Sequence, residues 1–132
     1  MKELLKNNHY YHIYNRGING CTIFSNEKNM DYFIKLTGKY LLNNSKIVSF
    51  CLMNNHFHFV IKIEDDNSIT KALSNLFNAY AKAYNKQQNR TGSLFEKHFK
   101  RKLINTDEYL KTVLLYIHNN PIHNVELYKY SS

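Results

Sequence analysis

Two adjacent apolar segments constrain the fold of this chain more than any other feature. "KIVSFCLM" (46–53) and "HFHFVIKI" (56–63) are rich in β-branched and aromatic residues, and the dipeptide Asn54-Asn55 separates them. Two such segments joined by two turn-forming residues are typical of a β-hairpin, because asparagine tolerates the positive φ that tight hairpin turns require. We therefore predict a pair of antiparallel strands at the centre of the fold.

The second of these segments carries two histidines on a single face. Side chains alternate along a strand, so one face holds apolar residues suited to a core: Phe57, Phe59, Ile61 and Ile63. The opposite face holds His56, His58, Val60 and Lys62. The strand rise places the two histidines about 7 Å apart, and two imidazoles at that spacing can bind one divalent cation. Two surface histidines on a half-exposed strand would give the same pattern, so the spacing leaves both interpretations open.

The remaining segments predict further strands and helices around this hairpin. "YYHIYNRG" (10–17) alternates as a strand does, with Tyr11 and Ile13 on one face and His12, Tyr14 and Arg16 on the other. Apolar residues at helical spacing predict a helix over about 26–42, with Ser25 as its N-cap. A second amphipathic pattern begins at Ile69, and "FKRKLI" (99–104) reads as a short strand. A last helix, capped by Asn105 or Thr106, is expected to end at Pro121.

The order β-α-β-β-α-β-α predicts an α+β, ferredoxin-like (RRM-like) sandwich. Its four-stranded antiparallel sheet would carry helices on one face and leave the other face open to a ligand. The 132 residues fit a single domain spanning 1–132. No apolar stretch approaches the roughly 20 residues that cross a bilayer, and the N-terminus lacks the apolar segment of a signal peptide. We therefore expect a cytoplasmic protein without a membrane partner, in which Cys21 and Cys51 are free thiols.

Positive charge is concentrated in one part of the chain. The net charge is +8. Residues 67–102 contain eight lysines and arginines and one acid, Glu96, which gives this segment +7. A polyanion such as nucleic acid is the natural partner of so basic a segment, although a solvated basic face is the simpler alternative.

Two other histidine chemistries are excluded by the residues themselves. A histidine-triad hydrolase needs a third alternate histidine where this chain has Val60, and a two-histidine phosphoesterase needs a second His-x-Ser/Thr motif, which is absent from the sequence. Among the eleven tyrosines, Tyr116 has an amide residue, Asn120, four positions later on the last predicted helix. Residues at this spacing share a helix face, so a phenol and an amide would project together.

The motifs taken together resemble a known family. "LMNNHFHFVI" resembles the signature of HUH transposases, in which two histidines flank a hydrophobic residue. "YHIYNRG", "NRTGSLFEKHFKRKLI" and "YLKTVLLYIHNNPI" resemble the family's first strand, its glycine-containing segment before a basic strand, and its final helix. The likeness covers nearly the whole chain in the right order. It is closest to the insertion-sequence-200-like transposases, in the branch of REP-associated tyrosine transposases. Asn54, where the family usually has proline, and the short tail after Pro121 depart from the pattern.

This resemblance implies an activity and a site. His56 and His58 would bind Mg²⁺ or Mn²⁺ with Asn120 as third ligand, and Tyr116 would cut single-stranded DNA near a hairpin through a 5′-phosphotyrosine. The family also implies a homodimer, in which each site could combine residues of two subunits. Several residues are expected to contact DNA: Arg16, Lys82, Lys86, Arg90, Phe95, Lys100, Arg101 and Lys102. The competing interpretations are a domesticated module that binds hairpin DNA or RNA without cutting, and an unrelated metal hydrolase.

Overall fold

A computed structural model describes residues 4–119 and contains four strands and three α-helices in the predicted order. The elements are β1 (Tyr10–Arg16), α1 (Glu27–Leu41), β2 (Ser45–Met53), β3 (His56–Ile63), α2 (Ile69–Gln88), β4 (Lys100–Ile104) and α3 (Asp107–His118), with a short 3-10 turn at Ile18–Gly20. None of the helices in this described range is long and apolar enough to cross a bilayer. Both cysteines are free thiols, as predicted.

The four strands form one antiparallel sheet in the order β2-β3-β1-β4. This order confirms the predicted α+β ferredoxin-like architecture, in which β1 and β3 are central and β2 and β4 are the edges. The pairing of β1 with β3 sets Ile13 opposite Phe59 and Tyr14 opposite His58. The register therefore aligns the apolar positions of the two central strands on one face and their polar positions on the other.

The main core lies between α1, α2 and the apolar face of the sheet. Phe57, Phe59, Ile61 and Ile63 are all fully buried there, as their alternation predicts. The ring of Phe33, from α1, lies 5.3 Å from Phe57 and 5.9 Å from Phe59, measured between centroids. Aromatic burial on this scale dominates core energetics, and it fixes which face of β3 is left for other chemistry.

The cap of α1 differs from the prediction. Asn26, not Ser25, is the N-cap, and its side chain accepts a hydrogen bond from the backbone N–H of Asn29 at 2.9 Å. The Ser25 hydroxyl instead lies 2.6 Å from the hydroxyl of Tyr84 on α2. Both residues can cap a helix, and the tertiary contact decides between them.

The hairpin turn forms where predicted, but the argument from positive φ is wrong. Among residues 4–119, positive φ occurs at Asn8, Asn19, Asn89 and two glycines, so neither Asn54 nor Asn55 adopts one. Their carbonyls instead accept hydrogen bonds from the segment that follows β1. The Gly17 N–H donates to the Asn55 carbonyl, and the Ile23 N–H donates to the Asn54 carbonyl. The turn is thus held by tertiary hydrogen bonds.

The prediction that the second face of the sheet is open is also wrong in part, because α3 packs across it. Val113 and Ile117 of α3 are buried against Cys51, Val60 and Ile104 of the sheet. The physical reason is that Val60 and Cys51 are apolar and share the histidine face, where they would otherwise contact water. The end of this face around His56 and His58 is not covered by this contact, and both histidines remain partly exposed.

Candidate active site at the histidine end of the sheet

Three histidines meet on the accessible end of the sheet. His56 and His58 project from β3 with their ring centroids 5.2 Å apart and their planes at 90°. His12 projects from the neighbouring strand β1 and stacks on His58 with a centroid distance of 5.0 Å. Alternation along two antiparallel strands produces this cluster, since all three residues occupy positions that face away from the core.

A chain of hydrogen bonds links His58 to α3 through His12. The Nδ1 atom of His58 lies 2.8 Å from Nε2 of His12, and Nδ1 of His12 lies 3.3 Å from the Tyr109 hydroxyl. The ring of Tyr14 also stacks on His12 at 4.5 Å. Sequence reasoning placed His12 on the correct face but did not assign it to the site. The contact joins residues 46 positions apart, and only the strand register would have revealed it.

Burial keeps these imidazoles neutral at pH 7. Desolvation lowers the pKa of His12 to about 4, with Lys102 contributing in the same direction. Desolvation, with smaller effects from His12 and His56, lowers the pKa of His58 to about 4 as well. Burial also lowers the pKa of His56. Neutral imidazoles are the form that binds metal ions.

Tyr116 lies beside this cluster. It projects from the last turn of α3, and its ring centroid is 5.1 Å from that of His58 at an angle of 72°. Its hydroxyl lies 3.9 Å from the sulfur of Met53, and the residue is 43% exposed. A single chain therefore brings the predicted nucleophile next to the predicted ligand pair. Asn120, the predicted third ligand, lies outside the described residues.

A cavity of about 590 Å³ opens next to the histidines. Its lining includes Tyr14, Arg16, His56, His58, Glu96 and Lys100. Arg16 Nε lies 2.7 Å from one Glu96 oxygen, and Lys100 Nζ lies 3.5 Å from the other. The hydrogen bond and the charge of Arg16 lower the pKa of Glu96. The hydrogen bond and the charge of Lys100 lower it further. Two cations and one carboxylate leave one net positive charge at the mouth of the cavity.

The predicted DNA-contacting residues are divided between the two faces. Arg16, Lys100 and Lys102 lie on the histidine face, since β4 pairs Lys102 with His12 and Lys100 with Tyr14. Four others lie on the helix side of the sheet: Lys82, Lys86, Arg90 and Arg101. Phe95 is partly buried and packs 5.8 Å from Phe57. The structure therefore does not bring the whole basic segment to the histidines.

Two imidazoles, those of His56 and His58, lie 5.2 Å apart between centroids and could together hold one metal ion. Within residues 4–119, no group of three or more His, Cys, Asp or Glu side chains is arranged to hold one. His12 does not make a third ligand, because its Nε2 is directed at His58.

Comparisons with known proteins point to one family. The family model described as "Transposase IS200 like" matches residues 5–120. The structure of a REP-associated tyrosine transposase bound to a REP hairpin superposes with a TM-score of 0.65 and 12% identity, covering 92% of this chain and 72% of that one. A candidate transposase from Deinococcus radiodurans R1 gives 0.57 and 15%, covering 84% and 89%. Likeness at such low identity concerns the fold alone. No curated protein matches significantly.

Proposed function

The chain belongs to the IS200-like transposase family, and on that premise we propose that it cuts and rejoins single-stranded DNA beside a hairpin, using Tyr116 as the nucleophile. The observation that carries this proposal is the contact between the Tyr116 and His58 rings, 5.1 Å apart between centroids. Because the phenol is 43% exposed, a phosphate entering the neighbouring cavity can approach it from solvent.

In the proposed step, Tyr116 Oη attacks the phosphorus of one phosphodiester. The new oxygen–phosphorus bond replaces the bond to the 3′-oxygen of the preceding nucleotide, in the manner of covalent catalysis. The phenol proton passes to solvent water, and the departing 3′-oxygen takes a proton from water. The products are a 5′-phosphotyrosyl link and a free 3′-hydroxyl. Attack by a 3′-hydroxyl reverses the step and rejoins the strand without ATP.

The histidine pair fits a divalent cation by the chemistry of its donor atoms. The Nδ1 atom of His56 lies 2.7 Å from the side-chain oxygen of Asn55, and an amide oxygen only accepts, so Nδ1 carries the proton and Nε2 keeps its lone pair. His58 Nε2 also keeps its lone pair in the tautomer in which His58 Nδ1 donates to His12 Nε2. We propose that these two Nε2 atoms would hold Mg²⁺ or Mn²⁺, with Asn120 as third ligand. The ion, when bound, polarises the scissile phosphate and offsets negative charge in the transition state.

Several features support DNA as the substrate. Residues 67–102 carry a net charge of +7, and cationic side chains on phosphates supply most of the affinity for nucleic acid. The REP-associated tyrosine transposase of the same fold was solved bound to a REP hairpin. Arg16 and Lys100 at the cavity mouth would then bind backbone phosphates. We also propose that the protein forms a homodimer and is located in the cytoplasm.

The proposal is tested by incubating the protein with a labelled hairpin-flanked single strand and Mn²⁺. We expect a protein–DNA adduct that survives denaturant and is lost in Tyr116→Phe. The matched control is Tyr32→Phe, because Tyr32 is 41% exposed and lies on α1, on the opposite side of the sheet. An adduct that persists in Tyr116→Phe would show that the nucleophile is another residue. Binding without an adduct under any metal would favour a hairpin-binding module.

A further inference from the structure

A second cavity lies on the helix side of the sheet, away from Tyr116 and the histidine rings. It lies between α2 and the segment 92–101, has a volume of about 590 Å³, and is called the α2 groove below. The aromatic residues Phe77, Phe95 and Phe99 contribute to its lining. This volume falls within the roughly 300–1,000 Å³ typical of small-ligand sites, which combine apolar walls with a few polar groups.

Asn15 supplies an unpaired hydrogen-bond acceptor in the lining of the α2 groove. The residue is 5% exposed, and its side-chain N–H donates to the backbone oxygen of Glu96 at 3.1 Å. Its side-chain oxygen has no hydrogen-bond partner within the described part of the chain. Because an unpaired buried acceptor destabilises a fold, this oxygen is suited to an N–H donor of a ligand.

The remaining polar lining of the α2 groove suits the phosphate of a nucleotide. The guanidinium of Arg101 lies 4.2 Å from the centroid of the Phe99 ring. Lys97 is exposed and also contributes to the lining. Aromatic rings, an acceptor and nearby cations together match a planar base with N–H donors attached to a phosphate.

The two cavities meet at the end of β1. Asn15 and Glu96 line both the α2 groove and the cavity beside the histidines. A strand with one phosphate near Tyr116 could therefore pass around this end of the sheet and place a neighbouring nucleotide in the α2 groove. Lys97 and Arg101, which line the α2 groove, would then contact the phosphates of the same strand.

We propose that the α2 groove binds one unpaired nucleobase of the DNA strand, with the Asn15 side-chain oxygen accepting a hydrogen bond from the base edge. The groove aromatics contact the face of the base. This inference rests on the proposed function, since it assigns a further contact to the same DNA substrate.

The test combines a variant with removal of single bases. Hairpin oligonucleotides with one abasic site at each successive position of the single-stranded flank are titrated by fluorescence anisotropy at fixed salt. For the wild-type protein, we expect one position at which removing the base weakens binding about tenfold, the scale of losing one stacked base. Asn15→Leu should bind the intact strand several-fold more weakly, and removing that base should then weaken its binding by correspondingly less than it weakens binding by the wild type.

Asn44→Leu is the matched control, because Asn44 is also buried and its side-chain oxygen has no partner among residues 4–119, but it lies outside the lining of both cavities. It should respond to base removal as the wild type does. If Asn15→Leu does not fold, Phe95→Leu, which keeps an apolar side chain in the groove, replaces it.

Additive effects of variant and base removal at every position would overturn the inference while leaving the proposed function intact. A wild-type protein that binds none of the oligonucleotides would overturn both. Tight binding of a free mononucleotide with no effect of base removal would overturn the assignment to a base within the strand.

Discussion

Replacing His12 with phenylalanine is predicted to lower the affinity of the DNA-free protein for Mn²⁺ about tenfold. The Nε2 atom of His12 lies 2.8 Å from Nδ1 of His58, which leaves Nε2 of His58 as the nitrogen that would face the proposed metal ion. Loss of such an outer partner costs roughly 10–100-fold in metal affinity, or about 1.4–2.7 kcal/mol. We expect the lower end of that range because His58 is only half-buried, and water can take the place of the lost partner. The Tyr14 ring, 4.5 Å from that of His12, can stack equally well on phenylalanine, so the fold should persist.

The affinity is measured by Mn²⁺ titration with electron paramagnetic resonance, which needs neither DNA nor activity. His12→Gln should restore most of the affinity, because the glutamine oxygen can accept from His58 Nδ1–H. His9→Phe is the control, since His9 is exposed and its ring Nδ1 lies 2.9 Å from the nearby Asn7 carbonyl, away from the other histidines. Wild-type affinity in a folded His12→Phe protein would refute the view that His12 positions His58.

Three further predictions concern stability and binding. The free energy of unfolding should fall by about 1–3 kcal/mol between roughly pH 6.5 and 4, because His12 and His58 take up protons near pH 6.5 in the unfolded chain and only near pH 4 in the folded chain. Urea unfolding at several pH values measures this change, and a free energy that does not vary with pH would contradict the prediction. Gly17→Ala should destabilise the protein by about 1–3 kcal/mol, since the new Cβ overlaps the Cys21 carbonyl, and an unchanged melting temperature would count against this. Lys100→Gln should reduce the salt dependence of DNA binding by about one phosphate contact; an unchanged slope would exclude that contact.

The element order and the buried face of the sheet follow from local sequence patterns. Phe57 and Phe59 alternate with His56 and His58, and this period of two predicts which side chains of the strand are buried. The order β-α-β-β-α-β then leaves few topologies. Local patterns do not show which helix will cover an apolar surface of the sheet. The packing of α3 on the histidine face was therefore not predicted.

The details of the site depend on contacts between distant residues. Ser25 and Asn26 are equally good caps by type, and only the contact of Ser25 with Tyr84 distinguishes them. His12 joins the site through a hydrogen bond to His58 that exists only in the observed register of β1 and β3. Cavities such as the α2 groove arise from packing, and their linings combine residues from several segments.

Mass spectrometry of the protein–DNA adduct can identify directly whether Tyr116 forms the covalent link to DNA. The protein is incubated with a hairpin-flanked single strand and Mn²⁺, then digested with nuclease and protease, and the peptide carrying a nucleotide is sequenced. We expect a 5′-phosphate ester on Tyr116, with the released DNA fragment ending in a free 3′-hydroxyl. A nucleotide attached to Tyr14 or Tyr109, or cleavage that leaves a 3′-phosphate, would contradict it.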